Sequence, residues 1–338
     1  MRTAAAALLA TLPALGRALQ LDADTPWVLV GGTDETGGVL PPSLHLALRD
    51  LRRDWYGVFG IQPLVLGTYF PYTQYLPGKQ GPKQELQPPY PVPDASTSGT
   101  LVFLGGRAIL EQTLPAAAVK QVAAALGTAA ESHGCFVLPP CAAHAYEALV
   151  CTGVDELGVV YSVYELSRLL GIDPQAFWTD HEPTPQPSIT IAPPPPTPSG
   201  APVRVGGGRS SPVVQYRGFF VNDEDMLSGF AEDPLGESVF SVEMWDHVFE
   251  LILRLRGNAV IVGTAAFPDE RSMELASRRG LYLAEHHITL LGTNCFQWPK
   301  GVPYTFAKSR ETLEYTWHAV AKQQADKKML CNPHDCSR

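Results

Sequence analysis

Directly behind the apolar run Phe219-Phe220-Val221 the sequence sets an amide and three acids, Asn222-Asp223-Glu224-Asp225. Carboxylates at this density can do general acid and base work, and an amide beside them can orient a hydroxyl-bearing ligand. The same groups also do ordinary work, because Asp and Asn cap helices and acids favour the positive end of a helix dipole. Position supports the site reading without deciding between the two: in folds built from β-α repeats, ligands meet the C-terminal ends of the strands. His286 and His287 stand near the end of a second apolar stretch, LYLAEHHITLLG, read here as one strand. Adjacent residues of a strand point to opposite faces, so at most one of the two imidazoles faces such a site. On the following segment, Asn294, Phe296, Gln297 and Trp298 combine amide and aromatic groups suited to the hydroxyls and apolar face of a sugar, or simply to packing. A pair of histidines falls short of the ligand set of a zinc site, so no metal is expected.

Other chemical signatures do not occur. The segment CTGVDELGVVYSVYEL has glycines at 153 and 158, but neither a dinucleotide fingerprint nor a phosphate-binding GK[ST] sequence. It reads as a glycine-assisted strand-to-helix turn with Asp155 or Glu156 at the helix start. No G-x-S-x-G elbow occurs, and no Cys and His are placed for nucleophilic catalysis. No cofactor is expected.

The elements that must position these residues follow from periodicity. WVLVGG, PLVL, TLVFLGG, CFVLP and ALVCTG are short apolar runs read as strands. Between them, Ser43–Gly60, Leu114–Leu126 and Glu156–Gly171 carry apolar residues at helical spacing. A Pro-rich segment interrupts at 67–99, and after SITIA the chain runs through PPPPTPSGAPVRVGGGRSS, which cannot bury a core. Beyond it come VVQYRGFFVN, NAVIVG and LYLAEHHITLLG as strands. Three helices alternate with them: MWDHVFELILRLRGN, DERSMELASRRG and SRETLEYTWHAVAKQQA. Gly257 stands where a helix C-terminal glycine belongs. Alternation of this kind builds an open doubly wound sheet or a (β/α)8 barrel.

The 338 residues and 45% hydrophobic content indicate a globular chain of two domains. A net charge of -9 argues against nucleic-acid binding. MRTAAAALLATLPALGRALQ predicts a signal peptide, against a plain Ala-rich terminal helix as the alternative. No later segment is apolar enough to span a membrane. A secreted protein fits six cysteines, of which Cys135 with Cys141 and Cys331 with Cys336 could bridge, while Cys151 and Cys295 read as small buried residues.

Two stretches, LVCTGVDELGVVYSVYELSRLLGIDPQAFWTDHEP and YRGFFVNDEDMLSGF, followed by MWDHVFELILRLRGNAVIVG, resemble glycoside hydrolase family 115, the xylan alpha-glucuronidases. The resemblance covers roughly residues 100–318. It implies an N-terminal α/β sandwich domain leading into a (β/α)8 barrel, and release of glucuronic acid or its 4-O-methyl ether from xylan with inversion. Inversion uses a carboxylic acid and a carboxylate about 6.5–9.5 Å apart. On the resemblance, Asp223 and Glu224 supply catalytic groups, one as participant and one as positioning group. Asn222, Asp225, His286, His287 and Asn294 lie around the sugar. The sequence departs from the family at HHITLLGTNCFQWPKGVPY, where many members read HHEPM, and Leu157 stands where members often carry Arg. The expected organisation is a signal peptide at 1–18, an α/β domain at 19–192, a linker at 193–211, and a barrel from 212 to 338. That last span holds about three β-α units of the eight a barrel needs, which reads as a fragment of a longer enzyme. The partner expected is a glucuronoxylan-type polysaccharide, with no nucleic acid and no membrane in the mature form. The alternative function is a non-catalytic carbohydrate-binding or inactive protein.

Overall fold

The structure is a computed structural model that describes residues 18–29, 40–67, 93–94, 97–140, 145–191, 202–206, 211–222, 224–230, 241–262, 271–286, 289–290, 293–294, 298–325 and 327–330. Residues 1–17 of the expected signal peptide, most of the Pro-rich segment and Cys141, Cys295, Cys331 and Cys336 lie outside the described residues. The chain forms two compact units. One comprises Met1–Pro41, Leu48–Tyr72 and Glu85–Pro212, the other Pro42–Ala47, Thr73–Gln84 and Val213–Arg338. The class is mixed α/β.

In chain order the first elements are β1 (Leu19–Asp22), β2 (Trp27–Leu29), α1 (Pro42–Phe59), β3 (Val65–Gly67) and β4 (Thr100–Leu104). Then come α2 (Arg107–Thr113), α3 (Ala116–Leu126), β5 (His133–Leu138), β6 (Glu147–Gly153) and α4 (Glu156–Leu169). A 3-10 turn at Ala176–Thr179, β7 (Ser188–Ile191) and β8 (Val203–Val205) complete this part. Six strands pair in the order β3-β2-β4-β6-β5-β8. β2, β3, β4 and β6 are parallel, whereas β5 runs antiparallel to both β6 and β8. The continuous apolar runs arise because both faces of this sheet are covered. Val28, Leu101, Phe103, Phe136 and Val150 join Leu110 of α2 and Val119 and Val122 of α3 in one cluster. Alternation turns Trp27 to the opposite face, where its ring meets Trp55 of α1 edge-on at 5.5 Å. α1 is tied to α4 there, since the Tyr164 hydroxyl donates to Asp50 Oδ2 at 2.8 Å and Arg49 donates to Oδ1 of the same buried carboxylate.

Two features differ from the sequence expectation. β1 and β7 form a separate antiparallel pair, Leu19 opposite Ile191, which alternation of β and α segments alone does not announce. Cys135 bonds to Cys151, not to Cys141. The two lie directly opposite each other on β5 and β6 with Cα atoms 4.1 Å apart. The antiparallel turn of β5 brings together cysteines whose sequence neighbourhoods suggested a short loop and an isolated buried residue.

The second unit contains β9 (Gly218–Phe220), α5 (Glu224–Phe230), α6 (Val242–Arg254), β10 (Ala259–Ile261) and α7 (Arg271–Arg278). These are followed by β11 (Tyr282–Ala284), β12 (Thr289–Leu290), β13 (Thr293–Asn294) and α8 (Phe306–Gln324). β9, β10 and β11 are parallel neighbours, with Phe219, Val260 and Leu283 in one register row. After α8 the chain comes back beside β11: Leu283 N donates to Lys328 O at 2.9 Å and Leu330 N to Leu283 O at 2.6 Å, a parallel bridge to Met329. α6 begins at Ser241, whose hydroxyl accepts from Met244 N at 3.2 Å, a cap of the ordinary kind. Its stripe of Trp245, Phe249 and Ile252 is buried. Arg279, fully buried behind α7, donates to Asp246 of α6 at 2.7 Å through Nε. The left-handed residue after α6 is Arg256, with φ 62°, rather than Gly257. Gly257 is there for space, because a Cβ would lie 2.7 Å from the Ile252 Cγ2 atom.

Candidate functional site

Asn258 sets the frame of the three parallel strands. Fully buried at the start of β10, it accepts from Arg217 N at 2.9 Å through Oδ1 and donates to Gln215 O at 2.7 Å through Nδ2. Its own backbone N–H bonds Arg217 O, and its carbonyl accepts from Tyr282 N. One buried amide therefore aligns the entry to all three strands, which makes the register of their far ends reproducible.

Alternation then divides the residues between two faces. Phe219, Val260 and Leu283 share one face, on which Val260 and Leu283 are buried and Phe219 is exposed. Tyr216, Phe220, Tyr282 and His286 share the other. The rings of Tyr216 and Tyr282 meet edge-on at 5.2 Å, and those of Phe220 and His286 at 5.0 Å. The second contact reaches across β10 at the C-terminal end of the sheet, because Phe220 and Ala284 flank Ile261 in register and His286 lies two residues on.

The acidic segment follows the same end. Val221 N still bonds Ile261 O at 3.1 Å, and the exposed Asn222 comes next. The strand is shorter than VVQYRGFFVN suggested: pairing stops at Phe220, and Glu224 opens α5. Asp223 lies outside the described residues, and so do the side chains of Glu224 and Asp225.

LYLAEHHITLLG is not one strand. β11 ends at Ala284, Thr289 N turns back to His286 O at 2.8 Å, and β12 and β13 form a small hairpin, Thr289 opposite Asn294. His286 is buried against Phe220. His287 lies outside the described residues, and Asn294 lies in β13, its side chain undescribed. The structure thus brings His286 to the strand that leads into Asn222, and places Asn294 in the hairpin directly after His286.

Glu285 was not singled out from the sequence. It sits at the end of β11 with Oε1 accepting from Gln324 of α8 at 2.6 Å. The signal was available, since it adjoins His286 at a strand end, but a lone acid beside two histidines is easily passed over. Among the described residues, no group of three or more His, Cys, Asp or Glu side chains is arranged to hold a metal ion. Among the described residues, no helix is long and apolar enough to cross a membrane.

The glycine turn of the first unit proves to be built for packing. Asp155 caps α4 by accepting from Gly158 N at 2.8 Å through Oδ1, while Oδ2 accepts from Glu131 N at 2.8 Å. A Cβ on Gly158 would stand 2.7 Å from Ser132 O, and one on Gly153 would strike the backbone of Gly158. Both carboxylate oxygens are thus engaged with backbone, and both glycines permit close approach.

Residues 209–332 match the family model of glycosyl hydrolase family 115, a span that includes every candidate site residue. No curated protein matches the chain. In fold the chain is similar to a solved family GH115 4-O-methyl-alpha-glucuronidase, BtGH115A, described as having specificity for decorated arabinogalactans. The TM-score is 0.62 at 19% identity, and the match covers 92% of this chain and 35% of that one. The chain therefore spans about a third of the length of that enzyme.

Proposed function

The chain belongs to glycosyl hydrolase family 115 through residues 209–332, and from this we propose that it carries part of the active site of a secreted alpha-glucuronidase. On this reading the enzyme releases glucuronic acid, or its 4-O-methyl ether, from a polysaccharide by inverting hydrolysis. The observation that carries it is the position of Asn222-Asp223-Glu224-Asp225 behind a parallel strand, inside the matched span. In such folds that is where reacting groups converge. The reading makes β9, β10 and β11 the first strands of a (β/α)8 barrel and the six-stranded sheet the centre of an α/β sandwich domain.

Asp223 or Glu224 then takes part in proton transfer, the other acid positions it, and Asn222, Asp225, His286, His287 and Asn294 surround the sugar. His286 is buried against Phe220, so it acts by fixing the end of β11 and offering at most one ring nitrogen to a ligand. Secretion rests on the leader-like N-terminus and is in keeping with the Cys135–Cys151 disulfide, since disulfides persist in oxidising compartments.

A second substrate is favoured by one observation: the similar solved enzyme is described as specific for decorated arabinogalactans. The test offers the protein glucuronoxylan and uronate-decorated arabinogalactan side by side and measures free uronic acid. Release from one of them is expected, and Asp223→Asn or Glu224→Gln is expected to lower it about 10²–10⁴-fold. A folded protein that releases no uronic acid from either polymer overturns the enzyme reading. Retention on insoluble xylan in that case would point to a non-catalytic carbohydrate-binding protein.

A further inference from the structure

From Trp298, inside the segment that departs from the family's HHEPM pattern, to Arg310 the chain presents an aromatic and locally basic surface. Pro299-Lys300-Gly301-Val302 forms a turn closed by Val302 N on Pro299 O at 3.2 Å, with Gly301 at φ 81°. That backbone angle suits glycine at the third position of a type II turn. Trp298 Nε1 donates to Val302 O at 2.7 Å, so the indole's one donor is satisfied inside the turn and its ring is held in place. The Tyr304 ring stands edge-on to Trp298 at 4.8 Å. Phe306 opens α8, parallel to Trp317 within 8° and 6.4 Å away. Ser309, at φ -136° inside α8, donates through Oγ to Pro303 O at 2.6 Å and fastens the helix to this loop.

Tightly held rings of this size usually belong to a core, yet Tyr304 is 37% exposed and Phe306 50%. Charge sharpens the contrast. From Trp298 to Arg310 there are three cations, Lys300, Lys308 and Arg310, and no acid, in a chain of net charge -9. Arg310 lies over the Phe306 ring at 5.2 Å and also pairs with Glu314 at 2.8 Å. Lys300 and Lys308 are exposed.

We propose that Trp298, Tyr304 and Phe306, flanked by Lys300 and Lys308, form a docking surface for an anionic, uronate-bearing polysaccharide chain. The inference rests on the polysaccharide reading above and extends it to a surface beyond the acidic segment. Aromatic faces take the C–H faces of pyranose rings, and the ammonium groups meet carboxylates carried by neighbouring sugars. A neutral polymer would use the rings alone, and an acidic protein surface would use the lysines alone, so the two contributions identify the occupant.

The experiment measures binding of the whole protein to soluble glucuronoxylan and to the same xylan with its uronates chemically reduced, at low and at 0.5 M salt, on the order of the range over which surface charges become screened. Tyr304→Ala/Phe306→Ala is expected to weaken both polymers roughly five- to tenfold. Lys300→Gln/Lys308→Gln is expected to weaken only the uronate-bearing polymer, roughly two- to fivefold at low salt, with the difference gone at high salt. The lysine variant changes exposed side chains and keeps a folded protein available even where the aromatic variant fails to fold. Unchanged binding of glucuronoxylan by the lysine variant, or an equal loss on both polymers, overturns the proposal. Because binding is read without turnover, absence of uronic-acid release would defeat the enzyme reading while leaving this test decisive.

Discussion

The six-stranded and the three-stranded sheets are covered differently. In the first, β4, β5 and β6 bury side chains on both faces, α2 and α3 closing one side and α1 and α4 the other. In the second, Val260 and Leu283 are almost inaccessible, whereas Phe219 in the same register row and Phe220 on the opposite face, both in β9, are 42% and 45% exposed. The doubly covered sheet is a stability device, and its one candidate turn, at Gly153 and Gly158, is occupied by packing and capping. The three-stranded sheet carries aromatic and titratable groups at its C-terminal ends. Its β9 strand is exposed on both faces, and the buried residues of β10 and β11 hold it in register.

Substitutions on matched aromatic residues test this contrast most strongly. Phe136→Ala in β5 should destabilise by about 3–5 kcal/mol through a cavity in the doubly covered sheet. Phe220→Ala should cost less than about 1 kcal/mol and act instead on His286 and on ligand binding. Denaturant titration of both variants measures the difference, and equal losses would erase the distinction between the two sheets.

A comparable effect is expected at the buried ion pair that joins the end of α7 to α6. Arg279→Met leaves Asp246 buried without its cation and should cost about 3–5 kcal/mol, whereas Arg279→Met/Asp246→Leu should recover most of the loss. Failure of the double variant to recover would mean that the pair acts through geometry that hydrophobic residues cannot replace.

Reducing the Cys135–Cys151 bond should destabilise the first unit by about 3 kcal/mol, the scale for a loop of this length. Amide exchange in β5 and β6 should quicken, while exchange in β10 stays as it was. The smallest effects belong to the two caps. Asp155→Ala and Ser241→Ala should each cost about 1 kcal/mol. The Asp155 change should exceed the Ser241 change, because it also frees Glu131 N. Thermal melts of the pair give the order.

Much of the fold was legible in local pattern. β4, β5, β6, α4, α6 and β10 coincide with apolar runs or helical stripes, since burial of a strand on two faces or a helix on one stamps its period on the residues. β9 and β11 were read too long, β9 mainly because the residues before Gly218 do not pair and β11 because apolar residues resume beyond its end at Ala284. LYLAEHHITLLG hides a strand, a turn and the start of a hairpin under one hydrophobic average. The acidic segment was visible as a site candidate by composition and by its place after FFV. His286, which packs on Phe220 of the strand before that segment, was visible only as a residue type.

The sequence by itself determined which residues carry charge, which stretches seek burial and which family the second unit resembles, because these follow from side-chain chemistry and its period along the chain. Tertiary structure alone decided that Cys135 meets Cys151, that Arg279 meets Asp246 and that Phe220 meets His286. Each of these contacts joins residues that are not neighbours in sequence, and strand register for the first and last, and helix packing for the second, select the partner, which no local period encodes.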